Sequence, residues 1–334
     1  MKEQSRRDFL RNLTLGVTTL AAQPLLASCT PKPGANPLAS TEPQTPTKES
    51  LIPTEESPAP TPGVIPDIVV TRGSDPEQMV RRGIQALGGM EHFMKQDADV
   101  IIKPNICVGY NTYEYASTTN PWVVAALVKM CLEAGAKRVR VMDFPFGSSA
   151  EQSYRYSGIE DAVIAAGGEM EVMSELKYIE VDIPNALQFK KAIVYQDILT
   201  TDFLINVPIA KHHSMAKLSL GLKNLMGTIQ LREQIHPSFK KNLVDLATLV
   251  RPHLTVIDAI RTLMNNGPTG GSLDDVKIQN TLVFSPDIVA ADSYATRLFD
   301  MVPEDIPYIM AAADRGLGKA DLSGLNIQEI SVDA

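Results

Sequence analysis

The sequence predicts an α/β fold of Rossmann-like type, with a mostly parallel sheet, helices on both faces and a small inserted β region. The first observation is a series of short apolar runs rich in Val and Ile, which is typical of strands buried on both faces. The second is that segments with helical periodicity alternate with these runs from about residue 64 onward. Composition agrees with a globular domain, because 44% of the 334 residues are hydrophobic and 21% are charged.

The apolar runs and the periodic segments give the predicted elements. The strands are predicted at Ile68–Val70, Val100–Ile102, Val139–Met142, Phe203–Ile205, Leu254–Ile257 and Thr281–Phe284. The helices are predicted at Glu77–Leu87, Asn120–Glu133, Ile159–Ala166, Phe239–Val250, Ile288–Phe299 and Pro307–Arg315. The inserted β region is predicted within residues 172–200, in the runs Val172-Met173, Tyr178–Ile183 and Ala192–Tyr195.

The charge balance limits the kind of partner. The formal net charge is -8 at pH 7. Nucleic-acid phosphates are bound by basic surfaces, so an acidic chain argues against a nucleic acid as the partner.

The N-terminus carries features of an export signal. Ser5-Arg6-Arg7-Asp8-Phe9-Leu10 resembles a twin-arginine motif, and a mostly apolar stretch follows from Leu13 to Leu26. Leu26-Ala27-Ser28-Cys29 resembles a bacterial lipobox, in which the cysteine is lipidated. We therefore expect residues 1–28 to be a signal peptide and Cys29 to anchor the protein. The anchored protein would lie on the outer face of the cytoplasmic membrane or in the periplasm.

A Pro/Thr/Ser-rich stretch separates this signal from the predicted domain. Residues 30–66 contain ten prolines and almost no large apolar side chains. Such a composition cannot bury enough surface to fold, so residues 29–66 are predicted to be a disordered tether. Residues 67–334 are predicted to form a single α/β domain.

Polar residues follow most of the predicted strands. Lys103 and Asn105 come after the second run, Asp143 after the third, Asn206 after the fourth and Asp258 after the fifth. The ligand crevice of an open parallel sheet lies outside the carboxyl ends of its strands. Turn and capping chemistry accounts for some of these residues, but it does not account for the lysines.

Residues 206–227, NVPIAKHHSMAKLSLGLKNLMG, combine three lysines and two histidines with apolar side chains. We expect 210–214 to be a loop on the crevice side and 215–226 to be helical, with Gly227 as its C-cap. Lys211, one or both histidines and Lys223-Asn224 would then face one cavity. Converging ammonium groups suit a small anionic ligand such as a phosphate or carboxylate. The alternative is that these are solvated loop residues.

Two further roles are open for the histidines. His213 and His236 could bind a divalent metal together with Asp143 or Asp258. They could instead work with Asp258 as acid–base groups, since an unperturbed imidazole titrates near neutral pH. The loop that includes Gly267 and Gly271 could bring backbone N–H groups close to an anion, although a plain surface turn explains it equally well.

Four segments together resemble the bacterial and archaeal "domain of unknown function 362" family. They are IIKPN at 101–105, residues 206–227, TVIDAI…NNGPTGG at 255–271 and SPDIVAAD at 285–292. The resemblance implies a core of Lys103, Asn105, Lys211, His213, Lys223, Asn224, His236, Asp258, the Gly267-Pro268 loop and Asp292. This chain departs from the family by carrying His212 where relatives commonly have Thr, which leaves open which histidine faces the site.

The resemblance also bears on cofactors. Many relatives carry a ferredoxin-like module with iron–sulfur clusters, but this chain has three cysteines and no Cys-x-x-Cys pair. We therefore expect no ferredoxin module and no cluster bound by this chain.

Three functions fit these features. One is an envelope-tethered enzyme acting on a small anionic substrate. Another is a lipoprotein that binds an anionic ligand or cofactor without changing it. A third is an accessory protein of an envelope redox complex, with a protein partner.

Overall fold

The computed structural model describes residues 64–333. The predicted signal peptide at 1–28, the predicted lipidation site Cys29 and all but the last residues of the predicted tether lie outside this range. Within the range, no helix combines the length and apolar character needed to cross a membrane.

The described residues form twelve strands and nine α-helices. The strands are β1 (Ile68–Arg72), β2 (Asp99–Pro104), β3 (Arg138–Val141), β4 (Glu169–Met170), β5 (Tyr178–Asp182), β6 (Lys191–Tyr195), β7 (Phe203–Val207), β8 (Ile209–His213), β9 (Lys217–Ser219), β10 (Leu254–Leu263), β11 (Val276–Ser285) and β12 (Ile327–Ser331). The helices are α1 (Pro76–Ala86), α2 (Pro121–Glu133), α3 (Ala150–Tyr156), α4 (Ile159–Ala165), α5 (Gln196–Thr200), α6 (Gly221–Asn224), α7 (Val244–Leu249), α8 (Ile288–Ala295) and α9 (Pro307–Asp314).

The predicted mixed α/β fold with a mostly parallel sheet is confirmed. The main sheet has the order β12-β1-β11-β10-β7-β2-β3-β4, and β8 pairs with both β10 and β9. Along this order only the pairs made by β11, with β1 and with β10, are antiparallel. β5 and β6 form a separate antiparallel pair, which is the inserted β region expected from the sequence.

Apolar side chains cover both faces of the sheet. One core contains Val100 and Ile102 of β2 packed with α1, α2 and α4. The other contains Ile101 of β2 and Leu204 of β7, packed with α6, α7, α8 and α9. Successive side chains of a strand point to opposite faces, so continuous apolar runs are what a doubly covered sheet requires.

The order of the strands reverses between β2 and β7. From β2 the chain moves outward to β3 and β4, and from β7 it moves the other way to β10. β2 and β7 are parallel neighbours, with Lys103 opposite Asn206 in the register. In open α/β sheets, ligands bind beyond the carboxyl ends of the strands at such a reversal.

The structure differs from the sequence predictions in residues 206–227. Residues 209–213 form β8 rather than a loop, because Lys211 pairs with Leu263 of β10 and with Ser219 of β9. Residues 215–226 are not one helix but contain β9, the short helix α6 and the start of a 3-10 turn at Leu225–Thr228. Gly227 lies within that turn and is not a C-cap. Val172-Met173 is not a strand, since β4 occupies Glu169–Met170 instead.

Candidate functional site

A cavity of about 470 Å³ lies at the carboxyl ends of β2 and β3 and beside β8 and α6. Basic and imidazole side chains from distant parts of the chain line it: Lys103, Lys211, His213, Lys223, Arg232 and His236. Apolar side chains complete the wall, including Phe144, Phe146, Met215 and Met226. The predicted ligand-binding residues Lys103, Asn105, Lys211, Lys223 and Asn224 are thus brought together, as are the two predicted histidines.

Lys103 and Asp143 form a buried ion pair at the floor of the cavity. Lys103 Nζ donates to Asp143 Oδ1 at 2.6 Å, and both side chains are almost fully buried. The other carboxylate oxygen accepts the N–H of Ile106 at 2.6 Å. Burial lowers the pKa of Lys103, and the adjacent Asp143 opposes that shift. The pair ties the ends of β2 and β3 together.

Asn224 connects this ion pair to its neighbours. Its Oδ1 accepts from Lys103 Nζ at 3.2 Å and from Asn105 Nδ2 at 2.9 Å. Its Nδ2 donates to Oδ1 of Asn206, at the end of β7, at 2.8 Å. A buried network whose members are all bonded holds a fixed geometry. The side chain of Asn224 therefore fixes α6 against β2 and β7.

Lys211 has oxygen partners but no carboxylate. Its Nζ donates to Asn105 Oδ1 at 3.0 Å and to the carbonyl of Ser117 at 2.7 Å. The side chain is 1% exposed. No Asp or Glu among residues 64–333 lies within ion-pair distance of it. A buried ammonium without a counter-ion is costly.

Lys223 and Arg232 also lack a carboxylate partner in the described part of the chain. Lys223 Nζ lies 3.7 Å from Met226 Sδ and 5.1 Å from the ring centre of Phe239. Arg232 donates to the carbonyl of Pro145 at 2.9 Å and lies over the ring of Phe144 at 4.7 Å. Burial lowers the pKa of both groups.

No motif or spacing in the sequence selects Arg232. It lies in the 3-10 segment Arg232–Ser238, which does not directly follow a strand in the sequence. Its aromatic neighbours Phe144 and Phe146 follow β3, some ninety residues earlier, and only the folded chain brings them together.

His213, not His212, faces the cavity. His213 Nδ1 accepts the backbone N–H groups of Met215 at 3.1 Å and Ala216 at 3.2 Å. Burial, together with the nearby Lys223 and Lys211, lowers the pKa of His213 to about 3. The ring is therefore neutral, with its proton on Nε2.

His212 and His236 differ in role. His212 Nδ1 accepts the N–H of Gly267 at 3.1 Å, so this histidine holds the glycine loop. His236 packs against Phe239, with 5.4 Å between ring centres, and burial lowers its pKa.

Gly227 makes the ion pair sterically feasible. A Cβ at this position would lie 2.0 Å from Asp143 Oδ1 and 2.6 Å from Lys103 Nζ. Any side chain here would displace one of the two charged groups. This close contact, and not the predicted helix C-cap, explains the glycine at position 227.

The predicted metal ligands are not assembled into one group among the described residues. Among residues 64–333 no group of three or more His, Cys, Asp or Glu side chains is positioned to hold a metal ion. The two carboxylate oxygens of Asp143 accept hydrogen bonds from Lys103 and from the N–H of Ile106. Asp143 is therefore not arranged as a metal ligand with His213 and His236.

The predicted catalytic role of Asp258 also needs correction. Its carboxylate accepts the N–H groups of Asn120 at 2.7 Å and Ile260 at 3.1 Å, and it does not line the cavity. Burial raises its pKa to about 6. Asp258 holds the start of α2, while Asp292 similarly accepts from Gly221 at 2.6 Å and Leu222 at 2.9 Å at the start of α6.

The predicted glycine cradle is not formed. The N–H of Gly267 is donated to His212, and Gly271 does not line the cavity. Of this loop, Pro268 reaches the cavity wall.

Comparison with known proteins places the chain in a family. The model of a family described as "Domain of unknown function (DUF362)" matches residues 100–297. A relative in Synechocystis sp., "Thylakoid-associated protein sll1697", is 30% identical over 246 residues, which cover 71% of this chain and 73% of that protein.

Two solved structures show a distant likeness. The lactate racemase apoprotein of Thermoanaerobacterium thermosaccharolyticum matches with a TM-score of 0.41 at 12% identity, and a protein of Thermotoga maritima with 0.37 at 12%. Each match covers 69% of this chain, and it spans 56% of the first protein and 60% of the second. By the match over residues 100–297 and the Synechocystis relative, the chain belongs to the domain of unknown function 362 family.

Proposed function

We propose that the cavity binds a small organic anion carrying a carboxylate or phosphate group. The observation that carries this proposal is the convergence of Lys211, Lys223 and Arg232 on one cavity without a carboxylate partner for any of them in the described chain. Glu233, the other acidic group in the wall besides Asp143, is exposed and pairs with none of them. A bound anion would supply the missing counter-charge.

The apolar wall supports an organic ligand rather than a bare ion. A volume of about 470 Å³ lies within the range of small-molecule sites. Phe144, Phe146 and Met226 offer surface for a carbon skeleton, while the cations would hold its charged end.

We propose further that the protein is an enzyme, with His236 as acid–base group and His213 as a hydrogen-bond donor. The neutral His213 ring, held at Nδ1, presents an Nε2–H donor of fixed direction. His236 is half-buried in the same wall and is free of such backbone bonds to its ring within residues 64–333. Turnover of the bound anion that is lost in His236→Gln but not in Lys95→Met would support this role. Binding without turnover would favour the ligand-binding lipoprotein.

We also propose that a lipid on Cys29 tethers the domain to a membrane after twin-arginine export. The Synechocystis relative is named for association with thylakoids, which agrees with a membrane location. Cys29→Ala should move the protein from the membrane fraction to the soluble fraction. Replacement of Arg6 and Arg7 by Lys should leave it unexported.

The binding proposal is tested by identifying what the native protein carries. Protein purified from its own host is denatured, and the released small molecules are identified by mass spectrometry. We expect an organic anion in wild-type protein and much less in the Lys211→Met/Arg232→Met double variant, with Lys95→Met as the exposed-lysine control. A released molecule that is neutral, or equal amounts from all three proteins, would refute the proposal.

A further inference from the structure

Lys223 differs from the other two lysines of the cavity. Lys103 is paired with Asp143, and Lys211 donates to two oxygen atoms. Lys223 Nζ meets a sulfur atom, Met226 Sδ, and the face of the Phe239 ring. Neither neighbour accepts a proton or neutralises a charge as a carboxylate would. The amine therefore lies in the cavity wall with its lone pair uncommitted once it is neutral.

The surroundings of Lys223 favour that neutral form. Burial, followed by repulsion from Lys211, lowers its pKa to about 7, and Arg232 adds to the repulsion while Cys107 opposes it. His213, whose pKa is about 3, contributes no charge at neutral pH. Desolvation next to a second cation is a recognised way to activate a lysine as a nucleophile.

We infer that Lys223 is a nucleophile that forms an imine with an anionic carbonyl compound, an aldehyde or ketone bearing a carboxylate, bound in this cavity. This inference rests on the proposed anion site and adds the substrate class to it. Lys211 and Arg232 hold the carboxylate, and the carbonyl carbon is then presented to Nζ of Lys223 from the same wall.

The chemistry balances without any further reactant. The lone pair of neutral Nζ forms the C–N bond, and the π electrons of the C=O bond move to oxygen, which takes up a proton. Nitrogen then gives up one proton, which leaves a neutral carbinolamine. Its hydroxyl takes up a second proton and leaves as water while the nitrogen lone pair forms the C=N bond. The product is an iminium ion, which becomes the neutral imine when nitrogen loses its remaining proton, with no change in oxidation state.

The inference is tested by reductive trapping with glyoxylate and cyanoborohydride at neutral pH. Trapping on lysine yields a carboxymethyl group that peptide mass spectrometry locates. An ordinary exposed lysine, with a pKa of about 10.4, is neutral in only about one molecule in 2500 at pH 7. Allowing for the weaker nucleophilicity of a less basic amine, we expect Lys223 to react at least about tenfold faster than exposed Lys95.

A neutral isostere tests the substrate class. 2-Methylpropanal has the branching of glyoxylate but no charge, and we expect its rate at Lys223 relative to Lys95 to be much lower than that of glyoxylate. Lys223→Arg keeps a positive charge without the nucleophile, so it should lose the adduct. Because the mapping is made on wild-type protein, the test does not depend on how that variant folds.

Two results would overturn the inference. One is modification of Lys223 by glyoxylate no faster than that of Lys95, and the other is the same Lys223-to-Lys95 ratio of rates for both aldehydes. If anions still bind and lose affinity in Lys211→Met, the proposed site survives while the nucleophile is rejected. If the wild-type protein binds no anion at all, the proposed anion site is rejected as well.

Discussion

Lys103 Nζ and Asp143 Oδ1 lie 2.6 Å apart, with side chains 2% and 4% exposed. Lys191 and Glu180 lie at the same distance on the surface, with side chains 56% and 59% exposed. The two ion pairs have the same N–O distance, but one is buried and the other is exposed to water. Because water screens the surface pair, only the first should matter to the fold.

Removing one partner of the buried pair should be strongly destabilising. Lys103→Met leaves the buried carboxylate of Asp143 charged and without its ion-pair partner, which we expect to lower the free energy of unfolding by about 3–5 kcal/mol. Lys191→Met is the matched control and should leave the melting temperature almost unchanged. Chemical denaturation of both variants makes the measurement, and equal losses would show that burial does not distinguish the two pairs.

Gly227→Ala should disrupt the same pair by contact. The added Cβ would overlap Asp143 Oδ1, and the 3-10 turn must shift to make room. We expect a loss of about 1–3 kcal/mol in stability, as for an overpacked core, together with weaker anion binding. Gly324→Ala is the control, since nothing lies within 4 Å of the corresponding Cβ. A fully stable Gly227→Ala protein with wild-type binding would contradict the packing described here.

Anion affinity should fall as pH rises through the pKa of Lys223. That pKa is about 7, and an anion binds the protonated amine better than the neutral one. The affinity should therefore be about tenfold lower above pH 7 than below it. The reason is that a hydrogen bond to a charged group contributes about 1.5–3 kcal/mol. His213 stays neutral over this range and adds nothing to the change.

Calorimetric titration with a non-carbonyl anion such as oxalate, from about pH 6 to about pH 8, measures this effect. In Lys223→Met the slope should be absent, while Lys95→Met should keep it. A pH dependence that persists without Lys223 would assign the titration to another group.

The strand ends and the basic residues beyond them could be predicted from the sequence. Lys103 lies near the end of β2, and Lys211 and His213 come soon after β7; β2 and β7 are neighbouring parallel strands whose carboxyl ends meet at one edge of the sheet. Apolar runs without alternation were enough to place β2 and β7. The strand character of 209–213 was missed because it depends on pairing with β10, which lies about fifty residues later.

The partners of each polar group could not be predicted. Asp143 and Asp258 both follow apolar runs in the sequence, yet one neutralises Lys103 and the other, which lies within β10, holds the start of α2. Sequence position alone does not separate a counter-ion from a helix-binding carboxylate. Arg232 and Gly227 were missed for a related reason, since their contacts are made with residues following β3 and at the end of β2.

The central claim, that unpaired cations make the cavity an anion site, is tested most directly by diffraction at the selenium edge from crystals soaked in selenate. We predict that the strongest selenium peak lies in the cavity, in contact with at least two of Lys211, Lys223 and Arg232. That peak should vanish in the Lys211→Met/Arg232→Met variant. An empty cavity in crystals whose surface sites hold selenate would contradict the claim.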